Sequence, residues 1–190
     1  QATVRHDRAQ TALQKHVFVS GLARAGTSVL MRRFYVTGRY RSLTYRDMPF
    51  VLAPNLWRRL SSISSRDIEA AERAHGDSLL VDADSPESFD EVFWRIFAGD
   101  EYLRSDHLAP HEPDAEIVEK YVSYVNAVLS ADTPRLDRDL CKNNNNILRL
   151  AAIQQAFPNS LILIPFRETL QHAHSLLRLN MRFSELQAKN

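Results

Sequence analysis

The segment that decides the fold is His16-Val17-Phe18-Val19-Ser20-Gly21-Leu22-Ala23-Arg24-Ala25-Gly26-Thr27-Ser28-Val29-Leu30. A short apolar run ends at a glycine, a loop follows, and a helical pattern begins at Gly26-Thr27-Ser28. This order predicts a strand, a loop and a helix. A loop of this kind turns several backbone N–H groups toward one point at the positive end of a helix, which favours an anion, most often a phosphate.

The glycine spacing in this loop is that of the ATP-binding P-loop, G-x-x-x-x-G-K-[ST], with Gly21 and Gly26 as the two glycines. The residue after Gly26 is Thr27, whereas ATPases and kinases have a lysine there that contacts the transferable phosphate. A cation is present inside the loop instead, at Arg24. The pattern therefore keeps the phosphate cradle and argues against an ordinary nucleoside triphosphatase.

Length and composition narrow the class of protein. The 190 residues suit one α/β domain, for which we expect a central parallel sheet flanked by helices, with residues 1–15 as an N-terminal arm. A formal net charge of +1 disfavours a general nucleic-acid binder. One cysteine, Cys141, excludes an internal disulfide framework, and no apolar run approaches membrane-spanning length.

A second phosphate-type signal lies near the C-terminus. An apolar strand is predicted over residues 160–166 and ends at Arg167, and a helix that carries Ser175 is predicted over residues 168–180. Ligands of parallel α/β sheets bind outside the carboxyl ends of the strands. Arg167 and the glycine loop should therefore lie at the same edge of the sheet.

The segment before that strand contains Lys142 and a run of four asparagines that ends at Asn146. Asn146 is a good N-cap for a helix predicted over residues 147–157, and Pro158 ends that helix. This pattern places Lys142 shortly before a helix.

The middle of the chain leaves alternatives open. Leu79-Leu80-Val81-Asp82 admits a strand whose aspartate holds Mg²⁺, as in NTPases, or a turn and cap before a helix over residues 88–98. The missing P-loop lysine favours the cap. The apolar face of that helix, from Phe89 to Phe97, is predicted to be core. His107 and His111 make a poor metal site, so we expect surface histidines and no metal.

Together these segments resemble the sulfotransferases that use 3′-phosphoadenosine 5′-phosphosulfate (PAPS). The first signature of that family is a strand and a loop with a basic residue, glycine and threonine or serine, which binds the 5′-phosphosulfate and matches residues 21–28. The second is a strand that ends in arginine with a serine eight residues later, which binds the 3′-phosphate and matches Arg167 and Ser175. The family often has a lysine before a helix that ends in Phe-Pro, which matches Lys142 and Phe157-Pro158.

The resemblance implies specific roles. The implied cofactor-binding residues are Arg24, Ala25, Gly26, Thr27, Ser28, Arg167 and Ser175. Arg24 and Lys142 would stabilise charge on the leaving phosphate, and the product would be adenosine 3′,5′-bisphosphate (PAP). A general base is needed for the acceptor hydroxyl. The first candidate is Asp47, after a strand predicted over residues 42–45, and Glu87, Glu91 and His107 are reserves. One departure is Glu168-Thr169, where the family has Asp-Pro after the arginine.

The expected activity is therefore sulfuryl transfer from PAPS to a hydroxyl, with a carbohydrate or glycolipid acceptor by analogy with bacterial members, which residues 84–94 resemble. Two alternatives stay open: a P-loop kinase or nucleotide hydrolase with a displaced cation, and a non-catalytic nucleotide-binding module. The bacterial-like middle favours the cytoplasm, and the alternative is the Golgi lumen with an absent anchor. Family members run past the last helix, so part of a single sulfotransferase-like domain is expected to be missing. Membrane contact and oligomeric state are left open.

Overall fold

The computed structural model describes residues 8–61, 71–72, 80–81, 84–131 and 136–188. Its centre is a parallel sheet of three strands, β1 (Val17–Val19), β4 (Leu140–Lys142) and β5 (Leu161–Leu163), in the order β4-β1-β5. Val17 of β1 pairs with Leu140 of β4 on one side and with Leu161 of β5 on the other. This register brings the carboxyl ends of the three strands level with one another.

Helices surround the sheet. Residues 8–12 are helical, and after them come, in chain order, α1 (Thr27–Tyr35), α2 (Pro54–Ser61), α3 (Glu91–Phe97), α4 (Gly99–Tyr102), α5 (Ala115–Ser130), α6 (Leu150–Ala156) and α7 (Thr169–Gln187). Two 3₁₀ helices span Tyr45–Phe50 and Asn144–Leu148, and a separate antiparallel pair joins β2 (Ala71–Glu72) to β3 (Leu80–Val81). Within the described residues, no helix is both long and apolar enough to cross a membrane. The predicted α/β class with a parallel sheet flanked by helices is confirmed.

The two faces of the sheet bury different clusters, because successive side chains of a strand point to opposite faces. Phe18 and Cys141 belong to the larger cluster, which includes residues of α3, α5 and α6. Val19 and Leu140 belong to a smaller cluster with Met31 of α1. Since β1 is buried on both faces, its short apolar run without alternation is explained.

Several local predictions were wrong. Residues 42–45 form no strand; Thr44 makes an isolated bridge with Pro86 and precedes the 3₁₀ helix Tyr45–Phe50. Asn146 is buried inside the other 3₁₀ helix, whose N-cap is Asn143. In the first segment Asp47 binds Arg41 and Thr44, and in the second Asn143 binds Glu91. These tertiary and capping contacts override the local strand and helix propensities.

The middle of the chain also differs from its prediction. Helix α3 begins at Glu91, and it buries Phe93 and Trp94 while Ile96 stays 59% exposed. His111 is buried rather than on the surface. The strand Leu80–Val81 pairs outside the parallel sheet, and Asp82, for which a Mg²⁺ role was considered, lies outside the described residues.

Two buried ionisable groups link β1 to the start of β4. The His16 ring donates Nε2–H to the Thr11 carbonyl at 2.7 Å and accepts the Asp139 backbone N–H at Nδ1, at 2.9 Å. This arrangement requires a neutral imidazole, and burial lowers the pKa of His16. Burial raises the pKa of the Asp139 carboxyl to about 8, and the nearby Asp90 carboxylate adds to that rise.

Replacing Asp139 with asparagine should flatten the pH dependence of stability between about pH 7 and 8. In the unfolded chain Asp139 is ionised there, since its ordinary pKa is about 3.9. The folded chain retains the proton up to about pH 8, so folding binds a proton. The free energy of unfolding should therefore fall as pH rises, by at most about 1.4 kcal/mol per pH unit.

Urea unfolding of the wild type and Asp139→Asn across this window measures the effect. Asp90, with a pKa of about 6, is ionised in both states at these pH values and adds no slope. His16 and His111, whose pKa values are lowered by burial, are neutral in the folded chain there. A fall in stability of the same steepness in the variant would contradict the assignment.

Candidate functional site

The loop between β1 and α1 depends on its two glycines. Gly21 has a φ of 147°, and a Cβ at this position would lie 3.2 Å from the Pro165 carbonyl oxygen. Only glycine therefore allows the segments after β1 and β5 to approach so closely. Gly26 has a φ of 96° and directly precedes α1, with open space where a Cβ would be. The first backbone N–H groups of α1 are those that an α-helix leaves without an acceptor of its own.

Arg24 is the residue around which the predicted motifs meet. Its φ of 69° is a left-handed conformation, which costs a non-glycine residue about 1 kcal/mol. Its Nε donates to Ser175 Oγ at 3.1 Å, and its carbonyl oxygen accepts from Arg167 Nη1 at 3.3 Å. The structure thus brings together residues that are 151 and 143 positions away from Arg24 in the sequence.

An open cleft runs along this loop. Its lining includes all five predicted loop residues, Arg24, Ala25, Gly26, Thr27 and Ser28, together with Arg167. Arg33, in the last turn of α1, also lines the cleft, although it belongs to neither sequence signature. Helical spacing could have identified it, because Arg33 follows two other lining residues, Val29 and Leu30, by one turn. Arg24, Arg33 and Arg167 therefore place three positive charges along a cleft that includes the N-terminus of α1, and this surface attracts anions.

Lys142 lies at the carboxyl end of β4, outside that cleft lining. Its Nζ is 3.7 Å from Glu87 Oε1, and both side chains are largely buried. The other Glu87 oxygen accepts from the Tyr45 hydroxyl at 3.4 Å. Two residues after Lys142, the Asn144 side-chain oxygen accepts from Thr27 Oγ1 at 3.4 Å. The lysine segment and the phosphate loop are therefore in direct contact through Asn144.

Asp47 has the contacts of a structural cap. Its buried Oδ2 accepts hydrogen bonds from the Arg41 guanidinium at 2.8 Å and from the backbone N–H and hydroxyl of Thr44. The neighbouring Arg46 pairs with Asp84 at 2.8 Å. These contacts favour a capping role over that of a base open to an acceptor.

A buried ionic cluster fixes the turn after β4. The Glu91 carboxylate accepts from Asn143 at 2.6 Å, Asn145 at 2.9 Å, the Tyr102 hydroxyl at 2.6 Å and Arg149 at 3.1 Å. The Arg149 side chain is fully buried, and its guanidinium lies 4.7 Å from the ring centroids of Trp94 and Tyr102. The asparagine run thus anchors the turn between Lys142 and α6.

The charge state of Glu91 follows from this cluster. Burial by itself raises the pKa of Glu91, but Arg149 and the hydrogen bonds outweigh it and hold the pKa below its ordinary value. Glu91 is therefore a charged anchor. Another of the three reserve bases, His107, is exposed and lies 2.7 Å from Asp106.

Glu168 follows Arg167 directly, at the position where the sulfotransferase pattern has Asp-Pro. Its carboxylate accepts the backbone N–H groups of Leu170 and Gln171 and so caps α7. These hydrogen bonds lower the pKa of Glu168. The local turn is therefore stabilised by a glutamate cap in place of Asp-Pro.

Comparison with known proteins does not assign the chain to a family. No family model matches the chain, and no curated protein matches it. Among solved structures, the chain is similar to sulfotransferase STF1 from Mycobacterium tuberculosis H37Rv, with 15% sequence identity and a TM-score of 0.43. The match covers 85% of this chain and 48% of that one, so this chain spans about half the length of that protein. At this identity and TM-score the likeness carries no argument about activity.

Replacing Glu91 with alanine should destabilise the protein by about 3 kcal/mol, because it leaves the buried Arg149 without its counter-charge. Urea unfolding measures the change. The matched control is Glu116→Ala, which removes an exposed partner of Lys120 and should cost at most about 0.5 kcal/mol. Equal losses in the two variants would mean that the cluster does not hold Arg149.

Proposed function

We propose that this chain is a PAPS-dependent sulfotransferase domain that transfers a sulfuryl group to a hydroxyl of an acceptor. The observation that carries the proposal is the convergence of Arg24, Arg167 and Ser175 at one phosphate loop. These are the residues that the two sequence signatures selected independently, at opposite ends of the chain. Their contacts support a single nucleotide site built from both signatures.

The residues present fit a nucleotide with phosphate groups at two positions. The loop offers backbone N–H groups at the start of α1, and Gly26 leaves open space before them. Arg24, Arg33 and Arg167 line the same cleft and supply three positive charges. We assign the 5′-phosphosulfate to residues 24–28, and the 3′-phosphate to Arg167 and Ser175. Thr27 stands where an ATPase has its lysine, which disfavours ATP.

PAPS would supply the activated sulfuryl group. Arg24 and Lys142 would stabilise negative charge on the leaving phosphate, as positive groups do in phosphoryl transfer. Thr27 supports this placement of Lys142, because its hydroxyl contacts Asn144 in the turn after β4. Charge-assisted hydrogen bonds of this kind contribute about 1.5–3 kcal/mol each.

We transfer the role of general base from Asp47 to Glu87. Both carboxylates accept hydrogen bonds, but Asp47 is fully buried, whereas Glu87 is partly exposed and lies 3.7 Å from Lys142, the cation assigned to the leaving phosphate. A carboxylate next to that lysine is well placed to accept the proton of an acceptor hydroxyl. The carbohydrate or glycolipid nature of the acceptor rests on the resemblance of residues 84–94 to bacterial members of the family.

Nucleotide preference is tested by thermal shift with PAP and with ATP plus Mg²⁺. A ligand at about one hundred times its Kd stabilises the folded state by about 2.7 kcal/mol, which raises the Tm by roughly 5–10 °C. PAP should produce this rise. Arg167→Ala should weaken PAP binding by roughly 10–150-fold. The control Arg178→Ala removes an exposed arginine of α7, the helix that follows Arg167, and should bind PAP like the wild type.

The outcomes separate the candidate functions. Stabilisation by ATP with Mg²⁺ alone would replace this proposal with a P-loop kinase or hydrolase. Stabilisation by PAP without transfer to any hydroxyl would indicate a non-catalytic binding module.

Replacing Glu87 with glutamine should lower kcat by about 10²–10⁴-fold, since the amide cannot accept the proton. PAP affinity should stay near that of the wild type, because Glu87 does not line the cleft. Transfer from radiolabelled PAPS to a panel of sugars and glycolipids measures the rate, with Asp47→Asn assayed in parallel. A larger loss of kcat in folded Asp47→Asn would return the base to Asp47.

A further inference from the structure

Two consecutive carbonyl groups of the phosphate loop are held by side chains from the segment after β5. The His172 Nε2 lies 2.7 Å from the Ala23 carbonyl oxygen, and Arg167 Nη1 lies 3.3 Å from the Arg24 carbonyl oxygen. A carbonyl oxygen only accepts, so the His172 ring carries its proton on Nε2 and donates it. His172 belongs to neither of the two sequence signatures.

Carbonyl orientation matters in an anion site. A carbonyl oxygen is the negative end of the peptide dipole and repels a phosphate, whereas the N–H of the same peptide attracts it. The peptide unit is planar and trans, so its C=O and N–H point in opposite directions. Holding the Ala23 carbonyl toward α7 therefore holds the Arg24 N–H in the opposite direction.

The loop needs such a constraint at this point. Arg24 is in a left-handed conformation, which persists in a non-glycine residue only where the surroundings impose it. The Ala25 N–H donates to the Leu22 carbonyl at 3.2 Å, which closes the turn on one side. His172 and Arg167 hold the peptides on either side of Arg24 from the other.

Helix α7 is suited to this role rather than to a core role. None of its residues is buried, and His172 itself is only partly buried. The described side-chain hydrogen bonds of His172, Ser175 and the preceding Arg167 go to the loop residues Ala23 and Arg24. Substitution of His172 therefore leaves the hydrophobic clusters intact.

We propose that His172 is a positioning residue of the anion site: it fixes the Ala23 carbonyl so that the Arg24 N–H stays available to the 5′-phosphate. This inference rests on the proposed function, because it assigns the loop to the 5′ end of PAPS. His172 acts on the loop through one hydrogen bond.

The test compares two nucleotides by titration calorimetry. PAP carries both phosphates, whereas adenosine 3′-phosphate lacks the one assigned to the loop. His172→Leu should weaken PAP binding about three- to tenfold, the effect of one hydrogen bond, and leave adenosine 3′-phosphate unchanged. His172→Gln keeps an N–H donor and should retain most of the PAP affinity. His174→Leu removes an exposed histidine of the same helix and should change neither ligand.

Each other result has a definite meaning. A His172→Leu variant that binds PAP like the wild type overturns the inference, and so does one that loses both nucleotides equally. Equal losses in His172→Leu and His172→Gln overturn the hydrogen-bond role. Failure of the wild type to bind PAP overturns the proposed function itself, and the inference with it. The Tm of each variant without ligand verifies folding.

Discussion

The parallel pairing of β1 with β4 and β5 is the constraint on which the rest of the described structure depends. Backbone hydrogen bonds align Val17 with Leu140 and Leu161, residues more than one hundred positions away along the chain. Because the strands run in one direction and in level register, everything that follows them emerges at one edge. The glycine loop, Lys142 and Arg167 are neighbours for that reason.

Contacts on both sides of the phosphate loop fix its position at this edge of the sheet. Gly21 lets the segment after β1 lie against Pro165, and the loop carbonyls then reach His172 and Arg167. On the other side, Glu91 and Arg149 anchor the asparagine turn after β4, which holds Asn144 against Thr27. The free energy of desolvating two buried charges offsets much of their attraction, so a buried ion pair adds little net stability. We infer that the Glu91–Arg149 pair serves to fix one geometry for that turn.

The sequence was least informative where contacts between distant segments decide the outcome. Asp47 follows a β-like segment and has the chemistry of a base, but Arg41 and Thr44 occupy its carboxylate. The local sequence does not distinguish Glu87 from the other aspartates and glutamates as a general base. Its pairing with Lys142 depends on how the chain folds back. Asn146 has the propensity of a cap, but the cap is Asn143, and Asn146 is buried inside a 3₁₀ helix whose neighbours Asn143 and Asn145 bind Glu91.

Local patterns by themselves determined the strand, loop and helix at Gly21–Gly26, the strand that ends before Arg167 and the α/β class, because glycine conformation and apolar runs act over a few residues. Tertiary structure alone decided that Arg24 meets Ser175, that Arg33 lines the cleft and that His172 holds the loop. Those contacts join side chains across the sheet edge, and strand register, which sets their distances, is a property of the whole fold.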